Sequence, residues 1–351
     1  MDPETSLKYG VGALLYCPAL NARLSSVIKE GRIAPPYSVC ICLEDSIADS
    51  AVEEAEEQTI RTLEKISALS ENTKIYIPKI FIRVRYPSQT EKLFGMAGKL
   101  SETVTGVVFP KYSASNAADY NEGLRRVNSS LDKKLYMMPI IESRDVLDIL
   151  TRRDALFGIR EYVREMGDRV LNIRIGGNDF CNKYGLRRKV SQSIYDIAVI
   201  KSVISDIVNV FSEEYVVSAP VWEYFGDRGG DWEKGLENEL ELDRLNGLFG
   251  KTSIHPCQVP VINESLKVSL EDKLDAESIL SWGNERFAVG KSSGGTRMNE
   301  VKCHGKWAEK IMIRAELYGV REPKINTLHG GRNYGFPGTG SEGLSFNQHS
   351  V

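Results

Sequence analysis

The chain has little that would tie it to a membrane or to nucleic acid. No apolar run reaches the ~18 residues that a membrane-spanning helix needs, so no transmembrane segment is expected. The opening residues, MDPETSLKYG, lack a basic stretch followed by an apolar one, so no signal peptide is expected there. Net charge is only −3, and no broad basic field argues for a nucleic-acid partner. The six cysteines form no CxxC pair. Cys17, Cys40 and Cys42 fall inside strand-like segments, which suggests reduced thiols used as small core residues in a cytoplasmic protein. No GxGxxG follows the first strand-like segment, which argues against dinucleotide binding. No internal repeat and no long linker is visible.

What remains is ordinary globular composition. With 42% hydrophobic and 26% charged residues over 351 positions, the chain can build one large core or two smaller ones. Strand-like apolar segments occur at 12–16, 38–43, 76–84, 106–109, 135–141, 171–175, 215–219 and 251–254. Most are followed by a helical pattern: 21–29, 52–69, 88–100, 115–127 with Ser115 as N-cap, 191–211, 232–249, 259–265 and 271–287. The charged stretch 144–169 reads as two helices around Gly158. Alternation of this kind predicts an α/β fold with a parallel sheet. Eight units over roughly 250 residues suit a (β/α)8 TIM barrel, with a doubly wound open sheet as the alternative. The barrel is assigned to 1–288. A C-terminal extension, 289–351, follows: a flexible joint at GKSSGG (290–295), a helix at 302–318 and a mobile tail rich in Gly, Ser and Asn.

The stretch LNIRIGGNDF (171–180) delivers a carboxylate, Asp179, behind two glycines at a strand end. Other polar residues stand at the same end of their strands: Glu44, Asp45, Arg83, Arg85, Lys111, Glu142 and His255. In a barrel these ends form one rim, where active sites lie. Neighbouring strands are ~4.8 Å apart, so Glu142 and Asp179, from adjacent strands, can grip one hard cation. Mg²⁺ takes one or two protein carboxylates and leaves positions for substrate oxygens. It would act as a Lewis acid on developing enolate charge. Arg83 is a fixed cation that could stabilise that charge or clamp a carboxylate. A salt-bridged rim is the plainer role for all three. The cluster Arg187, Arg188 and Lys189 suits a phosphate or polycarboxylate substrate, or simply a solvated face. His255 reads best as a structural histidine, and Trp222, Tyr224 and Phe225 as packing residues.

Taken in order, CLEDS (42–46), FIRV (81–84), VVFPK (107–111), PIIES (139–143), GGNDF (176–180) and GKTSIHPCQV (250–259) resemble the HpcH/HpaI aldolase and citrate lyase β-subunit superfamily. NKYGLRRKVSQSIYD (182–196) and SDIVNVFSEEYVVSAPVWEYF (205–225) look most like its divergent C–C bond lyase branch, associated with tellurite-resistance and stress gene clusters. The resemblance implies a TIM barrel, Mg²⁺ and aldol-type cleavage or formation of C–C bonds. It makes Glu142 and Asp179 the metal ligands and Arg83 the carbonyl or enolate clamp. Glu44 and Asp45 become rim acids that orient water or Arg83. Read from the residues themselves, Lys111 is a substrate contact or a rim ion pair, and Arg187 and Arg188 are candidate substrate contacts. The resemblance implies a homo-oligomer, trimeric or hexameric, whose C-terminal segment covers a neighbour's site, with Glu300 the nearest acidic candidate. The substrate would be a small carboxylate or an acyl-CoA. The acyl-CoA members carry a PGN- or PGS-type turn with a basic residue after the first strand. Here the turn is PALNARL (18–24), with Arg23 the nearby cation, which leaves a 2-oxo acid aldolase without CoA as the alternative. A non-catalytic barrel in a larger assembly is the third possibility.

Overall fold

Each of the eight expected strands forms, and each lies parallel to its neighbours. The computed structural model describes residues 1–70, 74–226, 231–282 and 289–322. The strands are β1 (Ala13–Pro18), β2 (Ser38–Cys42), β3 (Lys79–Arg83), β4 (Val104–Phe109), β5 (Tyr136–Ile141), β6 (Asn172–Ile175), β7 (Val216–Ser218) and β8 (Lys251–Ser253). Sheet order runs β7-β6-β5-β4-β3-β2-β1-β8. A parallel bridge from Ala219 to Lys251 joins the two ends, and the Phe249 amide donates to the Val217 carbonyl at 2.8 Å. The sheet therefore closes into the (β/α)8 TIM barrel.

Around it lie α1 (Pro3–Tyr9), α2 (Leu24–Lys29), α3 (Val52–Ser70), α4 (Pro87–Ala97), α5 (Ala117–Ser130), α6 (Arg144–Leu147), α7 (Arg152–Arg164), α8 (Gly177–Lys183), α9 (Ala198–Phe211), α10 (Asp231–Leu245) and α11 (Gln258–Leu266). Then come α12 (Leu270–Ser281), an antiparallel pair β9 (Val289–Lys291) and β10 (Met298–Glu300), and α13 (Val301–Tyr318).

Parallel barrel strands bury both faces, so they read as nearly continuous apolar runs. One set of side chains packs outward under the helices, among them Val39, Ile41, Ile80, Ile82, Val107, Ile173 and Ile175. A second, separate cluster fills the barrel: Leu14, Cys40, Phe81, Val108, Met138, Ile140 and Leu171. The interior is thus a packed floor beneath the polar rim, not a pore.

Several local expectations shift. The break in 144–169 falls at 148–151, where the Leu150 amide donates to Asp148 Oδ1 at 3.0 Å. Gly158 sits inside α7, where an added Cβ would meet only Ala114 at 3.5 Å. Residue 116, not 115, precedes α5 as its cap. The helix expected from 191 starts at Ala198, after a 3-10 turn closed by a capping box between Ser193 and Asp196. GKSSGG is not an open joint. It is the start of the β9–β10 hairpin, closed by the Ser292 amide donating to the Arg297 carbonyl at 2.8 Å. The end of the helix expected to 287 and the tail from His329 lie outside the described residues.

Candidate active site

The strand ends converge on one charged cluster. Glu44 and Asp45 follow β2, Arg83 ends β3, Lys111 follows β4, and Glu142 follows β5. Arg83 is 6% exposed. Its Nη2 meets Glu44 Oε2 at 2.8 Å, Asp45 Oδ2 at 3.2 Å and Glu142 Oε1 at 3.2 Å. Lys111 adds a second cation, pairing with Glu44 and reaching Asp45 Oδ1 at 3.3 Å. Its backbone takes the left-handed conformation, φ 49°, rare for a residue with a Cβ. That turn aims the Lys111 amide at Glu142 Oε1, 2.8 Å away. Glu142 is therefore held from two sides by donors on neighbouring strand ends.

Asp179 stands differently. It lies in the first turn of α8, half-buried, and lines the same cavity as Glu142. Among the described residues nothing donates a hydrogen bond to its carboxylate or pairs with it. The two glycines before it make room. A Cβ on Gly176 would lie 2.1 Å from Glu142 Oε2 and 2.4 Å from Glu142 Cβ, and one on Gly177 would strike Ile194 Cδ1 at 2.5 Å. Gly176→Ala should therefore cost about 1–3 kcal/mol by overpacking. Gly95→Ala, in α4 with open space around it, should instead gain roughly 0.5–1 kcal/mol. Urea denaturation of the pair checks both signs.

Electrostatics separate the acids. Burial pushes the Glu142 carboxyl up to about 8; Arg83 opposes this and Asp179 adds to it. Burial, helped by a hydrogen bond shared with Asp45, also raises Glu44. In Asp45 burial acts upward too, but its bond with Glu44 and the charges of Arg83 and Lys111 win, so it stays below the usual carboxylate range.

The cavity these groups face has a volume of about 390 Å³. It is lined by Asp45, Arg83, Glu142 and Asp179, and also by Arg174, Tyr16 and Thr252, which sequence reasoning missed. The available signal was the polar alternation of Asn172 and Arg174 within an apolar strand. Glu44, which is buried, and Lys111, which is exposed, do not line it but are bonded to residues that do. Arg187 and Arg188 are not brought to the cavity. Arg187 is exposed and lies 3.5 Å from Glu223 Oε1. Arg188 is 2% exposed, 3.3 Å from Glu239 Oε1 and stacked over Trp222. Glu239 in turn holds Lys251, which also pairs with Asp243, so Arg188 belongs to a buried ion-pair network away from the cavity. Trp222 is core, as expected, and His255 stacks on the half-exposed Phe225 at 4.5 Å. Glu300 does not line this chain's own cavity.

A family model described as the C–C bond lyase of the TIM-barrel fold matches residues 5–320. Among solved structures, the fold is similar to CitE from Mycobacterium tuberculosis in complex with magnesium, acetoacetate and coenzyme A. Identity there is 18% and the TM-score 0.57, over 88% of this chain and 100% of that one. A citrate lyase from Burkholderia xenovorans LB400 aligns at 14% identity and TM-score 0.63, over 90% of this chain and 94% of that one. The malate synthase of Haloferax volcanii aligns at 16% and 0.55, over 72% and 73%. No curated protein sequence matches. At such identities these structures speak to the fold alone, whereas the family match covers nearly the whole barrel and α13. The chain belongs to the family of C–C bond lyases built on the TIM-barrel fold.

Proposed function

We propose that the protein is a Mg²⁺-dependent C–C lyase that stabilises an enolate, with Glu142 and Asp179 as the metal ligands. The carrying observation is the pair itself. A half-buried carboxylate with no donor among the described residues, Asp179, faces the cavity beside a second carboxyl whose proton affinity its charge helps to raise. Two oxygen-donor side chains with room for further ligands suit a hard cation, and a shared cation would relieve their repulsion. When bound, Mg²⁺ would supply Lewis-acid polarisation of a substrate carbonyl.

The chain's own groups do the rest. Arg83 is locked by three carboxylates, and its buried Nε has no partner among the described residues. A preorganised donor at the cavity wall can take charge developing on the substrate oxygen without rearranging. Lys111 positions Glu44 and Asp45 through its ammonium and Glu142 through its amide. Asp45, held ionised, orients Arg83 and is a weak proton acceptor. The bond beta to the carbonyl then breaks or forms. A free 2-oxo acid is favoured over a CoA thioester by the turn after β1, which reads PALNARL (18–24) in place of a PGN- or PGS-type turn, with Arg23 as its one cation.

Exchange of methyl protons into deuterated water, followed by NMR for pyruvate and for acetyl-CoA, tests this. Mg²⁺-dependent exchange of pyruvate, stopped by chelation and reduced at least about 100-fold in Arg83→Gln, is expected. Exchange of acetyl-CoA alone would move the assignment to the thioester. Exchange of neither in saturating Mg²⁺ would leave the barrel as a non-catalytic subunit.

A further inference from the structure

A second buried cation lies in the cavity, and the reaction as proposed does not use it. Arg174 is 1% exposed and shares the cavity with Glu142 and Asp179. Its partner in the strand register is Ile140, two residues before Glu142. At ~3.3 Å per residue, that places it roughly 6–7 Å deeper in the barrel than the rim carboxylates.

Its surroundings are neutral. Nη1 donates to Asn172 Oδ1 at 3.2 Å and Nη2 to Thr252 Oγ1 at 2.7 Å. The Tyr16 side chain is a further, uncharged hydrogen-bonding neighbour of the group, and among the described residues Nε is buried without a hydrogen-bond partner. Burial pulls the group's pKa down, and the neighbours that oppose this are Tyr16 and Cys40, which carry no charge near neutral pH. The guanidinium nevertheless stays protonated. Other buried arginines are compensated. Arg83, Arg152 and Arg188 each have a carboxylate oxygen within 3.3 Å, and Arg314 caps three backbone carbonyls. Arg174 alone of these pairs its charge with neither an acid nor a row of carbonyls.

An unpaired buried charge is costly, and the cost falls when a ligand brings the counter-charge. Below Arg174 the barrel is closed by Leu14, Phe81, Val108 and Met138, so the counter-charge must enter from the mouth. A planar guanidinium with a free Nε and a fixed fork matches a planar carboxylate.

We propose that Arg174 binds a second carboxylate of the substrate, which makes this a lyase for short dicarboxylic acids. The reacting end sits at the rim, at the Glu142–Asp179 pair, and the other acid group points down into the barrel. The position of the reacting end rests on the metal assignment above; the anion site itself does not. Arg174 is then a specificity-determining residue.

The test compares malate with lactate, stable 2-hydroxy acids that differ by one carboxylate, in calorimetric titrations with Mg²⁺ and again with chelator. Wild type should bind malate at least about 10-fold more tightly than lactate, as a charged hydrogen-bonded pair allows. Arg174→Met should bring malate to the level of lactate and leave lactate and Mg²⁺ affinities unchanged. Arg174→Lys, which keeps the charge and loses the fork, should keep only part of the preference. Equal affinities in wild type, or a preference that survives in Arg174→Met, would overturn the proposal. So would a fall of more than about 5 °C in the ligand-free melting temperature of Arg174→Met with malate binding intact in Arg174→Lys, because that is the mark of a purely structural strut. If Mg²⁺ fails to bind wild type, the metal assignment falls, while the arm with chelator still decides the role of Arg174.

Discussion

Arg83→Met should both silence the enzyme and destabilise it by about 3–5 kcal/mol near neutral pH, the usual cost of removing one partner from a buried ion pair. The guanidinium is the hub of the rim: one nitrogen lies 2.8 Å from Glu44 and 3.2 Å from both Asp45 and Glu142. Without it, three carboxyl groups face one another with Lys111 as the remaining cation of the cluster. The loss should depend on pH in a definite direction. Removing the cation takes away the interaction that holds the Glu142 and Glu44 carboxyls down, so both bind protons more tightly in the folded variant. Protonation relieves the repulsion, and the deficit should shrink as pH falls from 8 towards 5.5. Urea denaturation at the two pH values measures it. Arg83→Lys keeps a charge and should recover part of the stability, but not the three-way geometry or the activity. A variant as stable as wild type at pH 8 would show that the cluster is not what holds the rim.

The second large effect concerns Glu142. Its carboxyl is pushed up to about 8 from an ordinary 4.5, chiefly by burial. A carboxyl whose folded pKa is raised takes up a proton on folding between those two values. Its stabilising contribution is present at low pH and is lost as pH rises towards 8. The metal-free protein should therefore melt at a lower temperature at pH 8.5 than at pH 6. Ligation requires the ionised form, so Mg²⁺ affinity should climb over the same interval with release of a proton. Glu142→Gln should flatten both profiles. It should also weaken Mg²⁺ binding by at least about 100-fold, more than the loss of an outer partner typically costs.

The parts of this site that the sequence made legible are those carried by single residues at strand ends. Glu142, Asp179 and Arg83 each follow or close an apolar run, so their placement needs only the strand and its direction. Arg188 could not be placed that way. Whether its loop faces solvent or core depends on Glu239, which arrives 51 residues later on α10. Arg174 was hidden for a different reason. Both faces of a barrel strand are buried, so Arg174, which lines the cavity, stands in an apolar run beside Ile173, which packs outward, and the run as a whole reads as apolar. The Lys111 amide that holds Glu142 is backbone chemistry, set by a left-handed turn that a lysine does not announce. The break between α6 and α7 likewise comes from side-chain bonds of Asp148 and Thr151 to nearby backbone, not from the glycine that marked it.

Glu142 and Asp179 are proposed to hold the metal together. Calorimetric titration of Mg²⁺ into wild type and Asp179→Ala at pH 8 tests it most directly. Saturable binding at one site is expected in wild type, and a loss of at least about 100-fold in affinity in a variant that remains folded. Unchanged Mg²⁺ affinity in Asp179→Ala would contradict it.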